Sequence, residues 1–180
     1  LSVELEKARS ESLTDGMTGI YNRKAFDNHI DELVERNIES KAPFSLLMLD
    51  IDDFKKVNDV YGHQTGDRVI LAITNKCRQS IRGEDFLARY GGEEFVIILP
   101  GASLKNAIKK AETICKSIAS TRYCLDDVAG SPTLSVTVSI GVSCLQKGDT
   151  TVTVTQRADK ALYSAKHKGK NCVLSENNLT

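Results

Sequence analysis

The chain has 180 residues, a length that suits one domain with a sizeable hydrophobic core. Its 24 basic and 24 acidic residues balance, so no overall charge favours a polyanion or a membrane surface, and nucleic-acid binding is not expected. Apolar residues make up 41% of the chain, and no apolar run approaches the roughly 18 residues that a transmembrane helix needs.

Residues 1–13 are rich in helix formers and charge, with Leu1, Leu5 and Ala8 at heptad-like spacing. Two heptads are too few to define a coiled coil. We expect the end of a signalling helix that continues upstream into a sensor, and a frayed terminal helix is the alternative. Residues 14–180 then form the main domain.

The remaining elements are predicted in chain order from periodicity, turn residues and caps. The first half has a structured loop over 14–23, a helix over 23–38, a buried strand over 44–50, a helical turn over 52–59, and a glycine loop over 61–67 that opens a helix to about 81. Hairpin strands follow at 85–90 and 95–99, then a helix capped by Ser103 and a loop over 122–132. The chain ends with a half-buried strand over 134–142, a helix started by Asp149-Thr150 and stopped by Gly169, and a closing strand over 171–174. This order predicts an α+β fold with a central, mainly antiparallel five-stranded sheet flanked by helices.

The five cysteines are odd in number, widely spaced and without a CxxC pair. Because several fall in apolar patterns, we interpret them as small core residues in a reducing compartment. A reducing compartment favours a cytoplasmic location. The domain would then be the cytoplasmic output domain of a larger protein, which is either membrane-bound or free. The cysteines are Cys77, Cys115, Cys124, Cys144 and Cys172.

The most informative stretch is residues 89–95, in which Gly91 and Gly92 form a hairpin tip that is followed by Glu93 and Glu94. Two adjacent acids after a tight turn repel each other, and glycine lets another group approach the backbone closely. A solvated turn is the simpler interpretation of this stretch taken alone.

A second group of acids changes that balance. If the strands that end at Asp50 and begin at Phe95 are antiparallel neighbours, Asp50 and Glu93 meet at one edge of the sheet. Three more acids are then close by: Asp52, Asp53 and Glu94. Converging carboxylates repel unless a cation lies among them, and an all-oxygen set favours Mg²⁺ with substrate phosphates. Phosphoryl or nucleotidyl transfer follows from this chemistry, whereas exposed acids at a helix N-terminus are the alternative.

Basic and amide side chains supply the counterpart of these acids. Lys55 follows the acids, and Lys166 and Lys170 flank the end of the last helix, where they reach a triphosphate or simply complement the helix C-terminus. Asn58 and Asp67 suit a guanine edge, because an acid accepts from N1–H and N2–H₂; a helix-end residue and an N-cap are the alternative interpretation.

Several motifs together resemble the GGDEF domains, the bacterial diguanylate cyclases. The resemblance covers nearly all of the chain, and Met17 in place of the family's usual Leu is conservative. The matching segments are 91–95 (GGEEF, the active type of signature), 15–23 (DGMTGIYNR), 50–59 (DIDDFKKVND), 61–67 (YGHQTGD), 139–141 (SIG) and 158–171.

The resemblance implies a ferredoxin-like core, similar to nucleotidyl cyclases and polymerase palms, and a metal-dependent reaction. Two GTP molecules condense to cyclic di-GMP with release of two pyrophosphates, by 3′-hydroxyl attack on the α-phosphate across a homodimer. By this resemblance the metal ions, two Mg²⁺ or Mn²⁺ per site, bind Asp50, Glu93 and the carbonyl of Ile51. Glu94 assists at the reacting centre.

The same resemblance implies how GTP is held. Asn58 and Asp67 read guanine, and the phosphates lie among five positions: Asp53, Phe54, Lys55, Lys166 and Lys170. At Asp53 and Phe54 the backbone N–H groups bind the phosphates. Lys55 also belongs to the catalytic set, together with Asp50, Glu93 and Glu94. The family often has Arg where this chain has Lys170. Lysine keeps the positive charge but cannot form the two parallel hydrogen bonds of a guanidinium.

Arg82 and Asp85 resemble the family's RxxD site, which implies inhibition by bound product. A surface Arg–Asp pair is the alternative, and such pairs contribute little stability. For the whole domain two other functions stay open: a catalytically silent domain that binds cyclic di-GMP or GTP, and another nucleotidyl cyclase or polymerase palm. Retention of Asp50, Glu93 and Glu94 argues against the first, and the absence of a basic surface argues against a template strand.

Overall fold

The structure is a computed structural model that describes residues 2–178. Leu1, the first residue of the predicted heptad spacing, lies outside the described residues. The helices are α1 (Ser2–Glu11), α2 (Arg23–Ser40), α3 (Phe54–Tyr61), α4 (His63–Ser80), α5 (Leu104–Ala119) and α6 (Thr151–Lys168). The strands are β1 (Phe44–Ile51), β2 (Phe86–Arg89), β3 (Glu94–Pro100), β4 (Tyr123–Cys124), β5 (Thr133–Leu134), β6 (Val138–Cys144) and β7 (Val173–Ser175), followed by a 3₁₀ turn at Glu176–Asn178.

The main sheet has five strands in the order β2-β3-β1-β6-β7, with β1 at its centre. β1 is antiparallel to both β3 and β6, β2 is antiparallel to β3, and β6 and β7 are parallel. The predicted α+β fold with a mainly antiparallel five-stranded sheet is therefore confirmed.

Helices cover both faces of this sheet. Alternate residues of β1 point to opposite sides: Leu47 and Leu49 pack in the core that contains α4 and α5, whereas Leu46 and Met48 pack in the core that contains α2 and α6. β1 therefore has no solvated face, which explains its almost continuous apolar sequence.

The prediction of a half-buried strand over 134–142 is wrong in two respects. Residues Thr133–Leu134 pair with β4 in a separate two-stranded sheet, so that β4 lies inside the predicted loop over 122–132, and β6 begins only at Val138. β6 is also buried on both faces, because α5 and α6 pack on opposite sides of it. Its polar positions are covered by α6, where the Ser143 hydroxyl donates to the Val154 carbonyl at 2.8 Å.

The predicted glycine loop over 61–67 is much shorter than expected. α4 begins at His63, so Gly62 alone separates it from α3. Gly62 has φ 91°, a conformation that glycine adopts without strain. The predicted helix boundaries elsewhere are close: Ser103 caps α5 through the amide of Asn106, Thr150 caps α6 through the amide of Thr153, and Gly169 ends α6.

All five cysteines are free thiols. Cys77 and Cys115 are buried, as predicted, but Cys124 is exposed on the short strand β4, so its assignment to the core is wrong. Over residues 2–178, every helix is too short or too polar to cross a membrane.

Candidate active site

The acidic groups meet at the end of the sheet where β1 finishes and β3 starts. Asp50 lies directly opposite Glu94 in the antiparallel register, and the Ile51 amide donates to the Glu93 carbonyl at 3.1 Å. The predicted pairing of these two strands is confirmed, and it brings Asp50, Glu93 and Glu94 together.

The hairpin tip shapes this site. The amides of Tyr90 and Gly91 donate to the Glu94 carbonyl at 2.8 and 3.3 Å, which closes the turn. A Cβ atom at Gly91 would lie 3.2 Å from Glu94 Oε1, so the glycine leaves room for the carboxylate to fold back over the turn. The predicted hairpin with a glycine tip is therefore confirmed.

Burial and neighbouring acids disfavour the charged forms of all three carboxyl groups. Burial raises the pKa of Asp50, and the charge of Asp52 raises it further against the opposing effect of Lys166. Burial and the charge of Asp50 raise the pKa of Glu93, and burial together with Asp50 and Glu93 raises that of Glu94. A cation placed among these groups would relieve this repulsion.

Lys166 on the last turn of α6 supplies one positive charge. Its Nζ lies 2.6 Å from Asp50 Oδ1 and 2.8 Å from Asp52 Oδ1. Burial lowers the pKa of Lys166, but the hydrogen bonds and charges of the two aspartates outweigh burial and raise it. The lysine is thus held in its charged form beside the acidic edge of the sheet.

Asp52 differs from the other acids, because it points into the protein. Its side chain is only 2% exposed and accepts hydrogen bonds from Thr137, Ser139, Lys166 and the amide of Asn171. Burial raises the pKa of Asp52, but these hydrogen bonds lower it below its ordinary value. Asp52 therefore lies near the cluster, as expected, but without a free oxygen.

Two of the predicted phosphate-binding positions contact each other. Lys170 Nζ lies 2.6 Å from Asp53 Oδ1, and both residues have a left-handed backbone conformation. Asp53 is the N-cap residue of α3 but does not cap it through its side chain, and the first amides of a helix have no partner within the helix. Lys55 is exposed on the first turn of α3.

The predicted guanine-reading residues lie on adjoining helices. Asn58 Oδ1 in α3 is buried, and no residue between 2 and 178 hydrogen-bonds to it. A Cβ atom on Gly66 would lie 1.9 Å from this oxygen, so glycine at this position of α4 lets the two helices approach. Asp67, the next residue, is exposed; it is inside α4 and is not its N-cap.

The predicted RxxD residues lie at the opposite end of the sheet from the acidic cluster. Arg82 and Asp85 line a cavity of about 450 Å³ beside the end of β3, together with Asn106, Lys109 and Lys110. Asp85 accepts the Arg82 backbone amide at 2.8 Å, which fixes the turn before β2. Arg82 is exposed, so its guanidinium is available to a ligand in this cavity.

Sequence reasoning missed two supports of the site: the Asp52 network and the contact of Arg89 with Asp15. Arg89 Nη2 donates to the Gly92 carbonyl at 2.7 Å, and Nη1 lies 3.3 Å from Asp15 Oδ2. The sequence did mark both residues, because Asp15 belongs to the family-like segment 15–23 and Arg89 lies just before the hairpin tip. Their separation in sequence hid the contact.

The carboxylates of this site suit a hard divalent cation that a substrate helps to bind. Within residues 2–178, no three His, Cys, Asp or Glu side chains are grouped closely enough to hold a metal ion by themselves. Asp50 and Glu93 offer two carboxylates, and Mg²⁺ binds typically through one or two carboxylates plus substrate phosphates. The residues present therefore fit an ion that arrives with a phosphorylated substrate.

Comparison with known proteins identifies the family of the chain. Residues 12–172 match the family described as "Diguanylate cyclase, GGDEF domain". The chain belongs to the GGDEF domain family. Diguanylate cyclases of this family are metal-dependent.

Among curated relatives, this GGDEF domain is 38% identical over 173 residues to the response regulator PleD of Caulobacter vibrioides. It is 40% identical over 174 residues to the diguanylate cyclase VdcA of Vibrio cholerae. The matches cover 96% and 97% of the chain but only 38% of PleD and 50% of VdcA.

A solved structure extends the likeness to three dimensions. The coiled coil and GGDEF domain of DgcB from Caulobacter crescentus, crystallised in complex with c-di-GMP, superposes with a TM-score of 0.91 at 34% identity. The match covers 97% of this chain and 91% of the DgcB chain.

Proposed function

We propose that this GGDEF domain is a diguanylate cyclase that condenses two GTP molecules into cyclic di-GMP and releases two pyrophosphates. The observation that carries the proposal is the meeting of Asp50, Glu93 and Glu94 with Lys166 at the end of the central strands. The curated relatives support it, since VdcA is named a diguanylate cyclase.

In this proposal Asp50, Glu93 and the carbonyl of Ile51 hold Mg²⁺ or Mn²⁺, two ions per site. When bound, such ions neutralise charge on the triphosphate and stabilise the attacking and leaving oxygens. Glu94 accepts the proton of the 3′-hydroxyl. Its position opposite Asp50 in the strand register places this carboxylate beside the proposed metal site. A carboxylate positioned at the reacting group can act as a general base.

The triphosphate binds between two segments. Lys166 and Lys170 approach it from the end of α6, Lys55 approaches from α3, and the backbone amides at Asp53 and Phe54 face it from the helix N-terminus. Ion pairs already hold Lys166 and Lys170 in this region. Positive groups and helix amides around one space are a recurrent means of binding phosphates.

Guanine binds at Asn58 and Asp67. The buried Asn58 oxygen is an acceptor that needs a donor, and the Watson–Crick edge of guanine offers N1–H and N2–H₂. Asp67 on the neighbouring helix supplies a second acceptor. Two acceptors favour guanine over adenine, whose Watson–Crick edge has one donor group.

Catalysis takes place between two copies of the domain, each bringing one GTP. Helix α1 then connects the catalytic domain of residues 14–180 to an upstream sensor and controls how two copies meet. The DgcB structure, which includes a coiled coil, supports this role for a helix before the domain. This arrangement makes activity dependent on protein concentration.

The cavity at Arg82 and Asp85 binds the product and inhibits the enzyme. Arginine pairs with phosphate and stacks on a base, and an acid accepts from guanine. Lys109 and Lys110 add positive charge to the same cavity. The presence of c-di-GMP in the DgcB complex supports such a site in general terms.

A catalytically silent receptor for cyclic di-GMP is the second candidate, and the cavity that Arg82, Lys109 and Lys110 line with Glu84 and Asp85 favours it. The two functions are separated by product analysis of concentrated protein with GTP and Mg²⁺. We expect cyclic di-GMP from the parent and from the exposed-site control Glu35→Gln, and none from Glu94→Gln. If the parent binds labelled cyclic di-GMP but forms none at any concentration, the enzyme assignment is wrong and the receptor function remains.

A further inference from the structure

The Asp52 carboxylate joins three segments that are far apart in the sequence. Its Oδ1 accepts from Ser139 Oγ at 2.7 Å and from Lys166 Nζ at 2.8 Å. Its Oδ2 accepts from Thr137 Oγ1 at 2.7 Å and from the Asn171 amide at 2.9 Å. Both oxygens are therefore engaged inside the protein, and neither is directed at a ligand.

Burying a carboxylate costs free energy unless hydrogen-bond donors surround it. Four donors from two other segments converge on this one side chain, so their relative positions are fixed by it. The backbone adds to this link, since the Asp52 amide donates to the Thr137 carbonyl at 2.9 Å. The loop between β1 and α3 is thereby fastened to the start of β6.

The segment after α6 depends most on this link. Lys170 and Asn171 have φ values of 63° and 48°, a left-handed conformation that is unfavourable for lysine, whereas asparagine tolerates it. The Asn171 amide donates directly to Asp52, and Lys170 reaches Asp53 at 2.6 Å. The strained conformation that presents Lys170 is thus held by the acids of the β1–α3 loop.

Asp52 also determines where Lys166 lies. The ammonium group is shared between Asp50 and Asp52 at 2.6 and 2.8 Å. Without the charge of Asp52, Lys166 would remain paired with Asp50 alone, on the residue that the proposed function assigns to the metal ion. Asp52 therefore keeps the lysine between the two carboxylates.

We propose that Asp52 is a positioning residue for the triphosphate: it orders the segment 166–171 and so places Lys166 and Lys170 for the phosphates of GTP. This inference rests on the proposed function, and it adds a residue outside the set that contacts substrate. Asp52 is expected to affect binding of the triphosphate but not of the base. Asn58 and Asp67, which would read the base, make none of the four Asp52 contacts.

The test compares the binding of GTP and GMP by calorimetry, in Mg²⁺, to the parent and to Asp52→Asn. Loss of a charge-assisted hydrogen-bond network is expected to weaken GTP binding about tenfold or more. GMP binding is expected to change little, since GMP lacks the β- and γ-phosphates. A second readout is amide hydrogen exchange of residues 169–172, which is expected to become faster in the variant.

Asp59→Asn is the matched control, because Asp59 is an exposed acid on the neighbouring helix α3. It is expected to retain both affinities. If Asp52→Asn does not fold, Thr137→Val removes one of the four donors and is expected to weaken GTP binding by a smaller factor, again without loss of GMP.

Equal weakening of GTP and GMP would overturn the proposal and leave Asp52 as a general support of the fold. Unchanged GTP binding in a folded Asp52→Asn would overturn it as well. If instead the parent itself fails to bind GTP, the proposed function is wrong and the inference is lost with it, so the two failures are distinguishable.

Discussion

Arg89 and Asp15 lie 74 residues apart in the sequence, and their side chains meet at 3.3 Å between Nη1 and Oδ2. Arg89 also donates to the Gly92 carbonyl in the hairpin tip at 2.7 Å. The loop before α2 is thereby tied to the turn that carries Glu93 and Glu94. This contact lies between the end of helix α1 and the proposed catalytic carboxylates.

We expect Arg89→Lys to lower kcat/KM for cyclic di-GMP formation by about tenfold, because lysine cannot bridge Asp15 and Gly92 as the planar guanidinium does. Thermal unfolding should change little. The control Arg36→Lys alters an exposed pair with Glu32 and should leave the rate unchanged. A normal rate in Arg89→Lys would show that the tie is not needed to hold the turn.

Gly141→Ala is expected to destabilise the fold by about 3 kcal/mol, since small-to-large changes in a packed core force the backbone apart. A Cβ atom there would lie 2.1 Å from the Ala158 carbonyl oxygen and 2.3 Å from the Leu162 amide nitrogen. Urea unfolding measures the effect. Gly83→Ala, where no atom lies within 4 Å of the new Cβ, should cost far less, and equal losses would contradict the packing argument.

Gly66→Ala is expected to affect substrate binding more than stability. The new Cβ would collide with Asn58 Oδ1 at 1.9 Å, and this carboxamide is the end of a side chain that can move aside. Displacement removes the proposed guanine acceptor, so KM for GTP should rise about tenfold. Steady-state kinetics test this, with the exposed-site variant Glu35→Gln as control; an unchanged KM would exclude Asn58 from base reading.

Arg82→Ala is expected to relieve inhibition by cyclic di-GMP while leaving the initial rate intact, because Arg82 lies at the far end of the sheet from Asp50. The inhibition constant should rise about tenfold or more, as for the loss of a charged hydrogen bond. Progress curves with added product measure it. Arg36→Ala serves as the exposed control, and identical inhibition in both variants would refute the site.

Stability should fall with acid through Asp149, whose Oδ1 lies 2.6 Å from Arg157 Nη1. Burial raises the pKa of Asp149, but hydrogen bonds from Arg157, Gln146 and Thr153 outweigh it and lower the pKa below its ordinary value. A lowered folded-state pKa means that the stabilisation is present above the unfolded pKa and is lost as pH falls through the folded value.

Asp149→Asn should therefore cost about 2 kcal/mol near neutral pH, and its difference from the parent should shrink as pH falls below about 4. Urea unfolding at a series of pH values measures this difference. The exposed variant Asp59→Asn should show a smaller difference at every pH. A constant cost for Asp149→Asn at all pH values would mean that packing, not charge, accounts for the effect.

Much of the fold was predictable because its signals are local. The apolar run over 44–50 predicted a buried strand, Ser103 and Thr150 predicted helix starts, and Gly91-Gly92 predicted the hairpin tip. Each depends on residues within a few positions of one another. The strand over 134–142 was misjudged for the opposite reason: alternation of polar and apolar residues is compatible with burial when a helix hydrogen bonds to the polar face, as α6 does at Ser143.

The candidate site divides in the same way. The types of residues at 50–53, 91–95 and 166–170 were enough to indicate acids, a glycine turn and lysines for a phosphorylated substrate, because side-chain chemistry is written in the sequence. Residue type and spacing could not distinguish Asp50 from Asp52, because both are aspartates only two positions apart, and only the family resemblance assigned the metal ion to Asp50. The tertiary structure decided that difference: Asp52 alone is surrounded by Thr137, Ser139 and Asn171, donors that come near it only when β1, β6 and the segment after α6 pack together.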